Sequence, residues 1–364
     1  MLDWYNCLEK QSNAQADTYC DSTCQHDHWR RGHKQICKRI HRGGNAEQYN
    51  ADKKYKEAVA VAVEACAEDT KGQTCYICTQ ALHWKTKEGL VRMCSCRGTA
   101  GFAHVSCLAE QAKILVAEAE ANNLRAEAFD KRWKRWSWCS LCEQEYHGVV
   151  RCALGWACWK TYVGQSEGDR VRRYAMNQLG NGLFEADHYE DALTVREAEL
   201  AMKKRLGVSE HNILVAQGNL SNSYSQMGRL EEALQMDRDV YYGSLKLEGE
   251  EHEITLTAAF CYTASLIDLH RHAEAKVLLN KTLPVARRVL GENGEITIRM
   301  SGSYAMALYE DDGATLDELR EAVATLEATE RTARRVLGGA HPITGSIEKG
   351  LQQARKTLAA FAAP

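Results

Sequence analysis

Proline is nearly absent, with three residues in 364. Proline removes a backbone donor and breaks helix interiors, so its scarcity beside abundant Ala, Glu, Leu and Lys predicts a mainly α chain. No uncharged apolar run approaches the length of a membrane span. The first residues show no basic segment followed by an apolar one, so no secretory leader is expected. Neither sign of charge dominates: 46 Lys and Arg stand against 49 Asp and Glu. No nucleic-acid partner is therefore expected. Cysteine is scarce in one region only, since beyond Asp169 the single thiol is Cys261.

Elsewhere cysteine is abundant, with fifteen in the chain. They come in short-spaced pairs with histidines nearby, which is the spacing of metal ligands rather than of a secreted disulfide scaffold. A soluble protein of a reducing compartment, cytoplasm or nucleus, is the expectation. Composition divides the chain into 1–42, rich in Cys, His and Trp; 43–73, a helical linker; 74–160, cysteine-dense again; and 165–360, helical and nearly cysteine-free.

The last region repeats. DHYEDAL, GRLEEAL, RHAEAKVLL and LDELREAV place Ala192, Ala233, Ala275 and Ala322 at spacings of 41, 42 and 47 residues. Ile213, Ile254, Ile296 and Ile343 follow with the same three spacings. Both series stretch at the end, which predicts an insertion near Asp311, Asp312 and Gly313. Each unit reads as two amphipathic helices with turns near Gly207, Gly228, Gly249 and Gly291. A small Ala at a fixed place lets the second helix approach the first. One unit cannot bury its apolar face alone, so the units are expected to stack into an α-solenoid. From about Arg170 to Leu358 these residues resemble tetratricopeptide repeats of the kinesin-light-chain kind. Leu220, Tyr224 and Ala233 match the family's packing positions. Ser221 stands where Gly is common, and Asp237 where an aromatic is common.

The central region carries eight potential ligands in four pairs: Cys75 and Cys78, Cys94 and Cys96, His104 and Cys107, Cys139 and Cys142. Zinc takes four such donors in a tetrahedron, so eight suggest two ions. The stretch CSCRGTAGFAHVSCL, Cys94 to Leu108, resembles a RING-CH (RING-variant) domain. PHD fingers share the ligand order. They usually have fewer residues before the histidine than the seven found here. They also prefer Trp at the position of Ser137.

The resemblance implies a cross-brace, with Cys75, Cys78, His104 and Cys107 on one zinc and Cys94, Cys96, Cys139 and Cys142 on the other. It also implies a ubiquitin ligase with no covalent catalytic residue, which holds a ubiquitin-conjugating enzyme near its substrate. Ile77 and Leu141, inside the first and last pairs, match the family's partner contacts, or else serve local packing. Three positions depart from the pattern. Gln111 replaces a common Trp, and Trp133 and Trp136 are the alternative sources of that aromatic. Glu143 replaces a basic residue that clamps ubiquitin. A long insertion, ending KRWKRW, separates Cys107 from Cys139.

Residues 19–37 resemble the second half of a MYND finger, through Tyr19, Cys20, Cys24, Gln25, Trp29, His33, Lys34 and Cys37. Cys7 alone precedes them. Either the chain start is truncated or Cys20, Cys24, His33 and Cys37 close a third zinc site. Cys152 and Cys158, with Trp156 and Trp159, are expected to pack the finger on the first repeat. Cys66 and Cys261 read as core thiols, and His252 and His341 as capping residues. The expected function is recruitment of conjugating enzyme by the finger and of a peptide or protein substrate by the repeats. The alternative is a non-enzymatic scaffold that joins two partners.

Overall fold

The computed structural model describes residues 46–124 and 127–361. The half finger with Cys20, Cys24, His33 and Cys37 lies outside them. The described residues form thirteen α-helices and no strand. Two isolated antiparallel bridges, Val91 with Ala103 and Trp138 with Glu145, are their only β pairing. The chain divides into two compact units between Lys54 and Tyr55.

Helix α1, Ala46–Ala65, crosses that boundary. Tyr55, Val59 and Ala62 recur at helical spacing and join Cys66 in the core of the finger. The segment read as a linker thus contributes one face to the domain that follows. Helix α2, Val105–Ala121, buries Leu108, Ala112, Val116 and Ala119 at spacings of three and four. Helix α3, Glu127–Trp133, runs into a 3-10 turn, Lys134–Trp136. Helix α4 spans Gly148–Tyr162.

The two tryptophans that end the inserted stretch are buried. Trp133 and Trp136 are 6% and 1% exposed. They pack with Tyr162, and Phe129 stacks on Trp133 at 6.0 Å between ring centroids. The expectation that one of them supplies a surface aromatic is therefore wrong: an indole this large is driven inward when a neighbouring cluster of rings can cover it. The basic residues between them are also engaged. Lys134 sits over the Trp138 ring, and the Arg135 guanidinium bonds Glu143 and the Cys139 carbonyl.

From Arg170 the chain forms helix pairs. They are α5 (Arg170–Glu185) with α6 (Tyr189–Arg205), and α7 (Glu210–Gln226) with α8 (Leu230–Glu248). Then come α9 (Glu253–Asp268) with α10 (His272–Leu290), α11 (Glu295–Tyr309) with α12 (Leu316–Val336), and a last helix α13 (Pro342–Phe361). Ala192, Ala233, Ala275 and Ala322 are all fully buried, as the repeat pattern requires. The stretched final spacing has two parts, a longer connection at 310–315 and an extra turn at the start of α12. The Thr315–Glu318 capping box begins that turn. Lys276 anchors the connection by pairing with both Asp311 and Glu318, at 2.8 and 2.9 Å.

Each helix packs on its neighbour in sequence, as a solenoid demands. Beyond that, the first helices of successive pairs (α5, α7, α9, α11, then α13) also touch one another. A row of helices that closes up in this way lies on the inside of the curve. Helix α4 joins the finger to α5 in the most extensive helix contact among the described residues. Two glycines permit it. A Cβ on Gly155 would stand 2.9 Å from the Gln178 carbonyl oxygen, and one on Gly182 would stand 2.7 Å from that of Arg151. Cys152 packs there with Leu179, Leu183 and Ala192, against Trp156 and Trp159, and Cys158 is buried in the finger core.

Candidate metal centres

Each half of the cross-brace begins with a knuckle. In the first, the Cys75 amide bonds the Gln80 carbonyl and the Thr79 amide bonds the Cys75 carbonyl. In the second, the Cys139 amide bonds the Gln144 carbonyl and the Glu143 amide bonds that of Cys139. Thr79 and Glu143 occupy matching left-handed positions, at φ 61° and 51°. The tight turn brings both thiols of a Cys-x2-Cys pair to one side. The Ile77 and Leu141 amides then point at the Cys75 and Cys139 sulfurs, each at 3.4 Å, and favour their thiolate form.

The eight residues fall into two sets. Cys75, Cys78, His104 and Cys107 each bring one ligand atom within 4.8 Å of the others, and so do Cys94, Cys96, Cys139 and Cys142. His104 turns Nδ1 to the sulfurs of Cys78 and Cys107, at 3.3 and 3.6 Å. Its Nε2 faces the Ala81 carbonyl oxygen at 3.4 Å, a partner of the kind that orients a ligating imidazole. The His83 ring meets His104 edge-on at 5.3 Å. In the second set the Cys96 and Cys139 sulfurs are 3.7 Å apart. Gly101, at φ 86°, closes the loop behind them: a Cβ there would stand 2.6 Å from the Cβ of Cys96.

Crowding of the sulfurs in the second set splits their proton affinities. Hydrogen bonds from Cys142 and Cys94 hold the Cys139 thiol far below its ordinary range. Hydrogen bonds to Cys139 and Cys142 push Cys94 far above it, and burial pushes Cys96 up to about 12. Burial lowers His104, which keeps the imidazole neutral, the form that binds metal. One set is three sulfurs with one nitrogen and the other four sulfurs, both closed by protein donors. That is the pattern of structural sites that take zinc.

A groove of about 440 Å³ opens beside the first set, between its knuckle and α2. Ile77, Trp84, Gln111 and Ile114 are among its lining residues. Trp84 is 69% exposed and Ile114 50%. Sequence reasoning missed both. The signal for Ile114 was available, because it falls off the face of α2 that buries Ala112 and Val116. Leu141 is also exposed, but it is not part of the groove lining. The structure therefore places Ile77 in the groove and Leu141 apart from it, on the second knuckle.

The RING-variant domain family matches residues 75–124, and a tetratricopeptide repeat family matches 213–253. Six of the eight ligands fall within the first match. Cys139 and Cys142 lie past its end, beyond the insertion, and the fold returns them to the second set. No curated protein matches the chain. Among solved structures, the kinesin light chain nearly identical TPR-like repeats of Podosopora anserina, in a form with a single substitution, are similar at 19% identity. That match covers 52% of this chain and 87% of the other, with a TM-score of 0.43. BtubC (BKLC) from P. vanneervenii is similar at 12% identity, covering 71% of this chain and 91% of the other, with a TM-score of 0.39. No helix of the described residues is long and apolar enough to cross a membrane.

Proposed function

We propose that this chain, with its RING-variant finger and tetratricopeptide repeats, is a zinc-dependent ubiquitin ligase. The two donor sets hold structural zinc ions and carry no reacting group. Cys75, Cys78, His104 and Cys107 bind one ion; Cys94, Cys96, Cys139 and Cys142 bind the other. Zinc ligation supplies folding free energy to the loops that carry the donors. The thiols must stay reduced to serve, which suits the cytoplasm or nucleus.

The observation that carries the ligase reading is the exposed apolar groove at Ile77, Trp84 and Ile114. Large apolar side chains grouped in one hollow mark a protein-binding surface. The conjugating enzyme docks there, and Trp84 supplies the aromatic that Gln111 does not. Leu141 makes a separate contact at the second knuckle. The repeats hold the substrate along their inner row of helices. Catalysis is then proximity and orientation of a thioester carried by the partner.

The test is an assay with ubiquitin, activating enzyme and a panel of conjugating enzymes. Chain formation is expected, reduced at least tenfold by Trp84→Ala or Ile77→Ala with both zinc ions retained. A scaffold without enzymatic activity is the second reading. One observation favours it: Glu143 follows the last ligand and is paired bidentately with Arg135 at 2.8 Å, so the clamp position is acidic and already engaged. No chains with any conjugating enzyme, and no effect of the groove substitutions, would decide for the scaffold.

A further inference from the structure

The solenoid returns to the finger. Arg97 belongs to the loop between Cys96 and His104, around the second donor set. Its guanidinium donates to the main-chain carbonyls of Arg334 at 3.0 Å and Arg335 at 3.3 Å. These carbonyls belong to the last turn of α12, where no helical N–H reaches them and the helix dipole is negative. A cation from a residue more than two hundred positions earlier thus caps the final full helix pair.

A second contact lies nearby. His147 precedes α4 and bonds through its amide to the Met93 carbonyl, just before Cys94. Its ring meets that of His341 edge-on, with centroids 5.2 Å apart. His341 in turn opens α13, where its Nδ1 accepts from the Ile343 amide. Across the same interior, Arg299 of α11 acts electrostatically on both His341 and Glu185 at the end of α5. Glu185 is also acted on by Arg151 of α4 and by Glu145.

The two ends of the solenoid are held differently. At the first pair, Val171 and Ala175 of α5 belong to the same apolar core as the finger. At the last pair, the core of α11, α12 and α13 shares no residue with that of the finger. One junction is a continuous core; the other is made by the Arg97 guanidinium and the paired rings of His147 and His341. We propose that Arg97 and His147 form a clasp that closes the helical repeats into a ring, and that its release controls entry of a protein partner to the inner row of helices. The partner of this finger surface is the chain's own last repeat. A folded domain needs the α12–α13 end to swing away.

Hydrogen exchange and small-angle scattering on the full chain test this without reference to ligase activity. The variants are Arg97→Ala and His341→Asn, with zinc content measured in each. His341→Asn keeps a side-chain acceptor for the Ile343 amide and lies away from both donor sets. Each is expected to raise exchange in α13 and the last turn of α12 at least tenfold. Exchange in α4 and α5 should stay unchanged, and the radius of gyration should increase. Should Arg97→Ala lose metal, His341→Asn alone decides. The clasp is refuted if α13 stays protected to within twofold, or if it loosens with no change in the radius of gyration.

Discussion

The Tyr76 and Ser140 hydroxyls lie 3.1 Å apart and tie the two cysteine knuckles of the finger together. Tyr76 adjoins Ile77 and Ser140 adjoins Leu141, so this one bond sets the spacing between two exposed side chains that belong to different metal sets. Tyr76→Phe removes it at little cost in volume. We expect a loss of about 1 kcal/mol in the stability of the finger. Thermal unfolding followed by Trp fluorescence reads it, and an unchanged midpoint counts against a coupling role.

The thiols divide into those of the two donor sets and those that pack. Cys139→Ser should lower zinc content and unfold the finger locally, because the four donors of a closed site act together. Cys261→Ser should keep both ions. Native mass spectrometry of the two variants gives the count. Equal zinc in Cys139→Ser and wild type would exclude the second site as assigned.

Gly182 sets the distance between finger and repeats. A methyl group there meets the main chain of Arg151 and Cys152 rather than a movable side chain. Gly182→Ala is expected to destabilise by about 1–3 kcal/mol, as overpacking does. Gly207, by contrast, has open space around it. Chemical denaturation of Gly182→Ala measures the loss, and a neutral result would mean that α4 and α5 can separate freely.

Asp237 is expected to give the solenoid a pH dependence. It is 3% exposed, and Ser265 donates a hydrogen bond to its Oδ2 at 2.6 Å. Burial pushes its carboxyl up to about 6 from an ordinary 3.8. A carboxyl raised on folding favours the protonated form. Its contribution is therefore fully present below the unfolded value and lost as pH rises through about 6. That difference is on the order of 3 kcal/mol. Asp237→Asn should flatten the decline between these limits, measured as the denaturation midpoint against pH. A wild-type slope retained in the variant would assign the dependence to another group.

Burial also lowers His147, to about 4, with His341 adding to the effect. A histidine depressed on folding resists the charged form, so its contribution is lost as pH falls from about 6.5 toward 4. The contact with α13 should weaken over that window. Exchange protection of α13 followed at several pH values checks it, and protection constant down to pH 4 would contradict it.

Much of this was legible because local chemistry carries it. The four buried alanines of the repeats follow from their spacing alone, since only a small residue at a fixed place admits the second helix. The eight ligands follow from pairs close enough in sequence for one turn to deliver both thiols. Neither needs knowledge of distant residues. The fate of Trp84, Trp133 and Trp136 does, because burial depends on which rings the fold brings near. Trp133 and Trp136 find Tyr162 and Tyr174 and turn inward. Among the described residues Trp84 meets one ring, that of His83, and stays outside.

The sequence by itself thus determined the helical repeats, the donor chemistry and the order of the domains, because periodicity and ligand spacing act over a few residues or a few turns. Tertiary structure alone decided that Trp84 and Ile114 frame the groove with Ile77, and that Arg97 caps α12. Each of those joins groups far apart in the chain, and only the packing of the intervening helices fixes the distance between them.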